Sequence, residues 1–173
     1  MPTIRRTWLA FAAIGTGLIH FALVLGSPLG LGIALSVLAL AEFGWGVLTF
    51  ARDELVAPRI ALAVALAPVG AWTLLLVASS SLESPELAAA LPLLPLAIAS
   101  LFELFAAAVL GIHLRRRDKD ARPTAPGVAR YLLGLAAGAL VVAALTTPAL
   151  AATEAGEYAV PHGTGFDLPG HGH

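Results

Sequence analysis

The sequence predicts an all-α membrane protein, a polytopic bundle of five transmembrane helices with its N-terminus inside and its C-terminus outside. Three observations carry that expectation. Five apolar segments, near residues 8–26, 29–50, 60–79, 92–114 and 131–151, are each long enough to cross a hydrocarbon core of roughly 30 Å as a helix. All ten Lys and Arg residues fall in three short stretches: Arg5/Arg6, Arg52/Arg59, and Arg115, Arg116, Arg117, Lys119, Arg122 and Arg130. The remaining polar segments, from Ser79 to Pro92 and after Ala151, carry acids and histidines but no cation. Cationic side chains that flank membrane spans stay on the cytoplasmic side, so alternate connections divide cleanly into inner and outer ones.

Composition agrees. With 58% apolar and 12% charged residues and a mean hydropathy of +0.87, the surface is too apolar for a water-soluble domain. Helices are required, because lipid offers no partner to an unpaired backbone group. The net charge of -1 conceals the segregation of cations, and nothing in it suits a nucleic acid. The chain has no cysteine, which excludes disulfides, thiolate metal sites, iron–sulfur clusters and thiol catalysis.

Taken in order, the first two spans are joined by Gly26-Ser27-Pro28-Leu29-Gly30, whose glycines and proline suit a tight helical hairpin. A start of Arg5/Arg6 plus an apolar run also matches a cleavable signal peptide, but His20 interrupts the run and a second span follows almost at once. The second connection is short and charged. Pro68 with Gly70, and Pro92 with Pro95, are expected to bend or start the third and fourth spans. On the fifth span Gly134 and Gly138 have GxxxG spacing, and Gly15, Gly17, Gly44 and Gly46 supply narrow faces on the first two. Trp8 and Trp45 are expected toward the cytoplasmic side, with Trp72 deeper. Ala149-Leu150-Ala151 has the small-x-small pattern of a signal-peptidase site, and is read here as an Ala-rich helix end. The domain division is a transmembrane domain over residues 1–151 and an extracytoplasmic tail over 152–173.

Chemistry is sought first among ionisable residues inside the spans, because a charge near the bilayer centre costs a few kcal/mol and is normally kept for a reason. These residues are His20, Glu42, Glu103 and His113. At about 1.5 Å per residue, His20 is expected roughly 9 Å below the outer boundary, and Glu42 and Glu103 roughly 20 Å and 16 Å below it. The glutamates thus share a layer. Two charged carboxylates at one depth repel, so a proton or a metal ion held between them is physically reasonable. The plainer alternative has each glutamate, and His20, hydrogen-bonded to a neighbouring helix. His113, beside the arginine cluster, is expected at the inner interface.

The tail gathers His162, His171 and His173 near its end, with Glu154 and Glu157 upstream and Asp167 among them. Its composition cannot build a packed core, so order requires a ligand. Imidazole and carboxylate donors favour Cu(II), Zn(II) or Ni(II), and the lack of Cys and of any Met but Met1 disfavours a soft Cu(I) site. The alternative is a solvated tail with incidental histidines. Glu154, Glu157 and Tyr158 follow the last span directly, so part of the tail can fold back over the outer mouth and approach His20.

The segments Gly17-Leu-Ile-His20-Phe-Ala-Leu, Leu40-Ala-Glu42-Phe-Gly-Trp-Gly, and the run from Thr146 to Gly163 resemble a group of small, uncharacterised polytopic membrane proteins of high-GC bacteria with an intramembrane histidine and a His-containing outer C-terminal tail. The resemblance covers most of the chain through short motifs and implies no activity. It favours treating His20, Glu42 and the tail as one design.

No phosphate-binding loop, nucleophilic triad or pair of haem ligands at matched depth stands out, so no enzyme is expected. The expectation is a multi-pass protein of the bacterial plasma membrane that binds a copper or zinc ion on its outer side, for metal handling or delivery to a partner. The candidate ligands are His20, Glu42, Glu103, His162, His171 and His173. The competing reading is a non-catalytic accessory subunit of a larger membrane complex; a proton-coupled carrier is a weaker third, for want of paired halves.

Overall fold

The computed structural model describes residues 3–52, 54–81, 92–117 and 128–157. These form five long helices, α1 (Thr3–Val24), α2 (Leu29–Ala51), α3 (Pro58–Ser81), α4 (Leu93–Arg117) and α5 (Val128–Ala151), and a single turn, α6 (Glu154–Glu157). Among the described residues there is no strand. All five long helices have the length and apolar composition to cross a membrane. Each observed span contains or closely overlaps its predicted one, and most run a few residues further, because a helix continues into its polar flanks after the apolar run ends.

Local chemistry explains the ends. After Val24 the chain leaves the helix through Gly26 at φ 80°, a left-handed conformation that costs glycine nothing, and Pro28 then precedes the first turn of α2. The Ser27 hydroxyl donates to the Leu23 carbonyl at 2.6 Å, covering one of the last acceptors of α1. Pro58 opens α3, a position where its missing N–H is no loss. Pro68 and Pro148 lie inside continuous helices.

α1 is the centre of the bundle. It packs on α2, α4 and α5, while α3 packs on α4 and scarcely touches α2. Leu9 clusters with Ala106 and Leu110, whereas Ile19 and Leu23 cluster with Leu96 and Ala99, so α1 and α4 are antiparallel. Gly134 meets Ile4 and Gly138 meets Trp8, so α1 and α5 are parallel. Ala65 joins the Leu110 cluster and Trp72 the Leu96 cluster, which makes α3 antiparallel to α4. The five helices therefore alternate in direction. Arg5, Arg6, Arg52, Arg59, Arg115, Arg116, Arg117 and Arg130 consequently gather at one end of the bundle.

Small residues let the backbones meet. A Cβ at Gly17 would stand 2.9 Å from the Phe43 amide nitrogen, and one at Gly46 would stand 3.0 Å from the Ala10 carbonyl oxygen. Gly15 faces Val142, Thr146 and Phe102, where α1, α4 and α5 converge. Gly44, grouped with these on sequence, faces open space. Trp8 donates its indole N–H to the Gly134 carbonyl at 2.8 Å, pinning α5 to α1 at the arginine-bearing end. Trp45 donates to the Val56 carbonyl at 2.7 Å, so both lie toward that end, and Trp72 is buried deeper. At the opposite end α6 folds back on α1, with Thr153 buried and the Glu154 carboxylate against Gly26. The first residues after the last span thus pack against the α1–α2 hairpin.

Candidate ion-binding site

His20, Glu42 and Glu103 meet in the middle of the bundle. One donor atom from each lies within 4.8 Å of the others, and the three residues are 0%, 6% and 2% exposed, so the group is buried in the bundle. His20 Nδ1 is 2.6 Å from Glu42 Oε2, and its other nitrogen, Nε2, is 3.7 Å from Glu103 Oε1. The imidazole therefore stands between two carboxylates, and addresses each with a different nitrogen. The structure thus brings together the three residues that the sequence offered as candidate ligands within the spans, although depth counted along the helices set His20 nearer the outer boundary than the glutamates.

The physical reason is the lean of helical side chains. Gly17 faces Ala39 and Phe43, and Gly46 faces Ala10 and Ile14, a register that sets the His20 backbone about one turn, or roughly 6 Å, from the level of Glu42. Every Cα–Cβ bond tilts toward the N-terminus of its own helix. Since α1 opposes both α2 and α4, His20 leans toward the glutamates and they lean toward it. Distances counted from helix ends omit this convergence. The close approach at Gly17, one turn before His20, then brings the side chains into hydrogen-bond range.

The two contacts differ in kind. A separation of 2.6 Å is a hydrogen bond, shorter than the spacing of two donors around one metal ion. By contrast 3.7 Å exceeds a hydrogen bond and lies near the ligand-to-ligand spacing of about 3.3 Å that follows from tetrahedral zinc with bonds of about 2.0–2.1 Å. His20 Nε2 and both carboxylate oxygens of Glu103 are buried without a hydrogen-bond partner. Unpaired buried polar atoms are costly, and an imidazole nitrogen facing a carboxyl group in this way suits a shared cation or proton. A carboxylate on the far ring nitrogen is also how proteins commonly orient a metal-ligating histidine.

A cavity of about 140 Å³ lies beside the group. It sits between α2 and α3, backed by α1 and α4, on the arginine-bearing side of the glutamates. Thr16, Glu42 and Glu103 are among the residues that line it, and Trp45, Ile60, Ala61 and Leu110 are among its apolar walls. The cavity exists because α2 and α3 scarcely touch, and no sequence pattern signalled it. Sequence reasoning placed Trp45 only at the cytoplasmic interface and passed over Ala61, both of which line the cavity.

His113 lies well beyond Glu103 on α4, near Arg115, and does not join the group. His162, His171 and His173 lie outside the described residues. No protein-family model, curated protein or solved structure matches the chain. The site and the five spans therefore carry the functional argument on their own.

Proposed function

We propose that this is a multi-pass protein of the bacterial plasma membrane that binds one divalent transition-metal ion, zinc or copper, inside its helix bundle, for metal handling or delivery to a partner. The observation that carries the proposal is the buried, unpaired facing of His20 Nε2 and the Glu103 carboxylate. In this reading His20 and Glu103 are the ligands, Glu42 positions the imidazole through Nδ1, and water completes the coordination. Nitrogen and oxygen donors of this kind suit Zn(II) and Cu(II). The arginine-bearing end faces the cytoplasm by the charge rule, so His162, His171 and His173 lie outside, where they would collect the ion.

The test is metal analysis of protein purified in detergent and exposed to zinc or copper. Wild type and a chain truncated after Gly156 are expected to hold one ion each, while His20→Ala and Glu103→Gln hold none. Wild-type protein without stoichiometric metal would reject the proposal. A second reading, an accessory subunit, draws on α5, whose outward face of Leu132, Leu133 and Leu140 is exposed along the helix. Lipid covers such a face equally well, and co-purification of a larger complex through α5 would favour the second reading.

A further inference from the structure

The cavity between α2 and α3 has no part in metal binding as proposed above, and its chemistry is different. Its walls are aliphatic side chains of Ile60, Val64 and Leu110, with alanines between them, and a hydrated ion gains nothing by entering such a space. At its inner end stand Glu42 and Glu103. Both Glu103 oxygens are buried and without a hydrogen-bond partner, and Glu103 lines the cavity. Trp45 lines it too, with its indole N–H already committed to the Val56 carbonyl, so the ring is held in place and only its π surface is left to offer. α2 and α3 scarcely touch, and the cavity between them is lined by residues of both helices and by Ala57 of their connection.

An aliphatic pocket, a fixed indole and a buried carboxyl group without a hydrogen-bond partner together define one class of ligand. From this combination we infer that the α2–α3 cavity binds a small lipophilic organic cation, an alkyl- or arylammonium. The hydrophobic part replaces lipid contacts with the aliphatic walls. The ammonium group supplies a countercharge and a partner for the Glu103 carboxyl group, and the indole adds a cation–π attraction. The ligand and the metal ion would share Glu103, so each excludes the other. The inference goes beyond the metal reading and does not depend on it, since the cavity and its carboxylate are present whether or not an ion is ever held by His20.

The test uses the full chain in detergent, freed of metal by chelation, and measures equilibrium binding of benzyltrimethylammonium. Its charge is permanent, and neopentylbenzene is its uncharged isostere. Wild type is expected to bind the cation saturably at one per chain and at least about tenfold more tightly than the isostere. Glu103→Gln is expected to abolish that preference. Ala61→Leu, which fills the cavity and leaves every ionisable residue in place, should weaken cation binding by a similar factor and leave zinc stoichiometry at the wild-type value. No saturable binding, equal binding of the isostere, or cation preference persisting in folded Glu103→Gln would each overturn the inference. Loss of zinc binding in wild type with cation binding intact would overturn only the metal reading.

Discussion

Gly17→Ala is the smallest change expected to damage the site from outside it. The new methyl would stand 2.9 Å from the Phe43 nitrogen and 3.0 Å from the Ala39 oxygen, whereas ordinary contact begins at 3.4 Å. Both neighbours are backbone atoms of α2 and cannot rotate aside, so the helices must separate by about 0.5 Å, at a cost of about 1–3 kcal/mol for overpacking. His20 lies one turn further along α1. The same displacement would stretch its 2.6 Å contact with Glu42 to about 3.1 Å, near the limit of a hydrogen bond. Zinc affinity is therefore expected to fall along with stability, because Glu42 no longer fixes the ring. Gly44→Ala is the matched control: it is also a helical glycine, but a Cβ there meets nothing within 4 Å, so no loss is expected. The assay is thermal unfolding in detergent with zinc binding measured on the same samples. Equal melting and equal zinc affinity for the two variants would refute the packing argument.

Three further outcomes follow from particular contacts. Trp8→Phe removes the donor to the Gly134 carbonyl and is expected to lower stability by about 1 kcal/mol, read by the same melting assay, with zinc stoichiometry unchanged. Because the chain has no cysteine, single substitutions report sidedness directly: Ser81→Cys should react with an impermeant maleimide on intact cells, and Arg52→Cys only after permeabilisation. Truncation after Gly156 removes all three tail histidines and should slow zinc loading at low metal concentration without changing the final stoichiometry. If truncation abolishes bound zinc, the ion resides in the tail rather than the bundle.

Much of the fold was legible because lipid imposes a simple rule on sequence. An apolar run of about 20 residues must be a helix, and the three cationic stretches fix which ends lie together. His20, Glu42 and Glu103 were legible as candidates because ionisable residues in such runs are rare. Their assembly was less so. Depth counted along each helix put His20 well apart from the glutamates, and only the tilt of Cα–Cβ bonds on opposed helices, with the close approach at Gly17, closes the gap. Composition also overstated the glycines: Gly17 and Gly46 are contact points, whereas Gly44 points away from every neighbour. The cavity was invisible from sequence, since a space left by two helices that fail to meet has no pattern in either helix.

X-ray absorption at the zinc edge of the loaded, tail-truncated protein tests the central claim most directly. A site made by His20 and Glu103 predicts a first shell of nitrogen and oxygen at about 2.0–2.1 Å with the outer-shell scattering of a single imidazole, lost in His20→Ala. A shell of several imidazoles, of oxygen alone, or a signal unchanged in His20→Ala would contradict it.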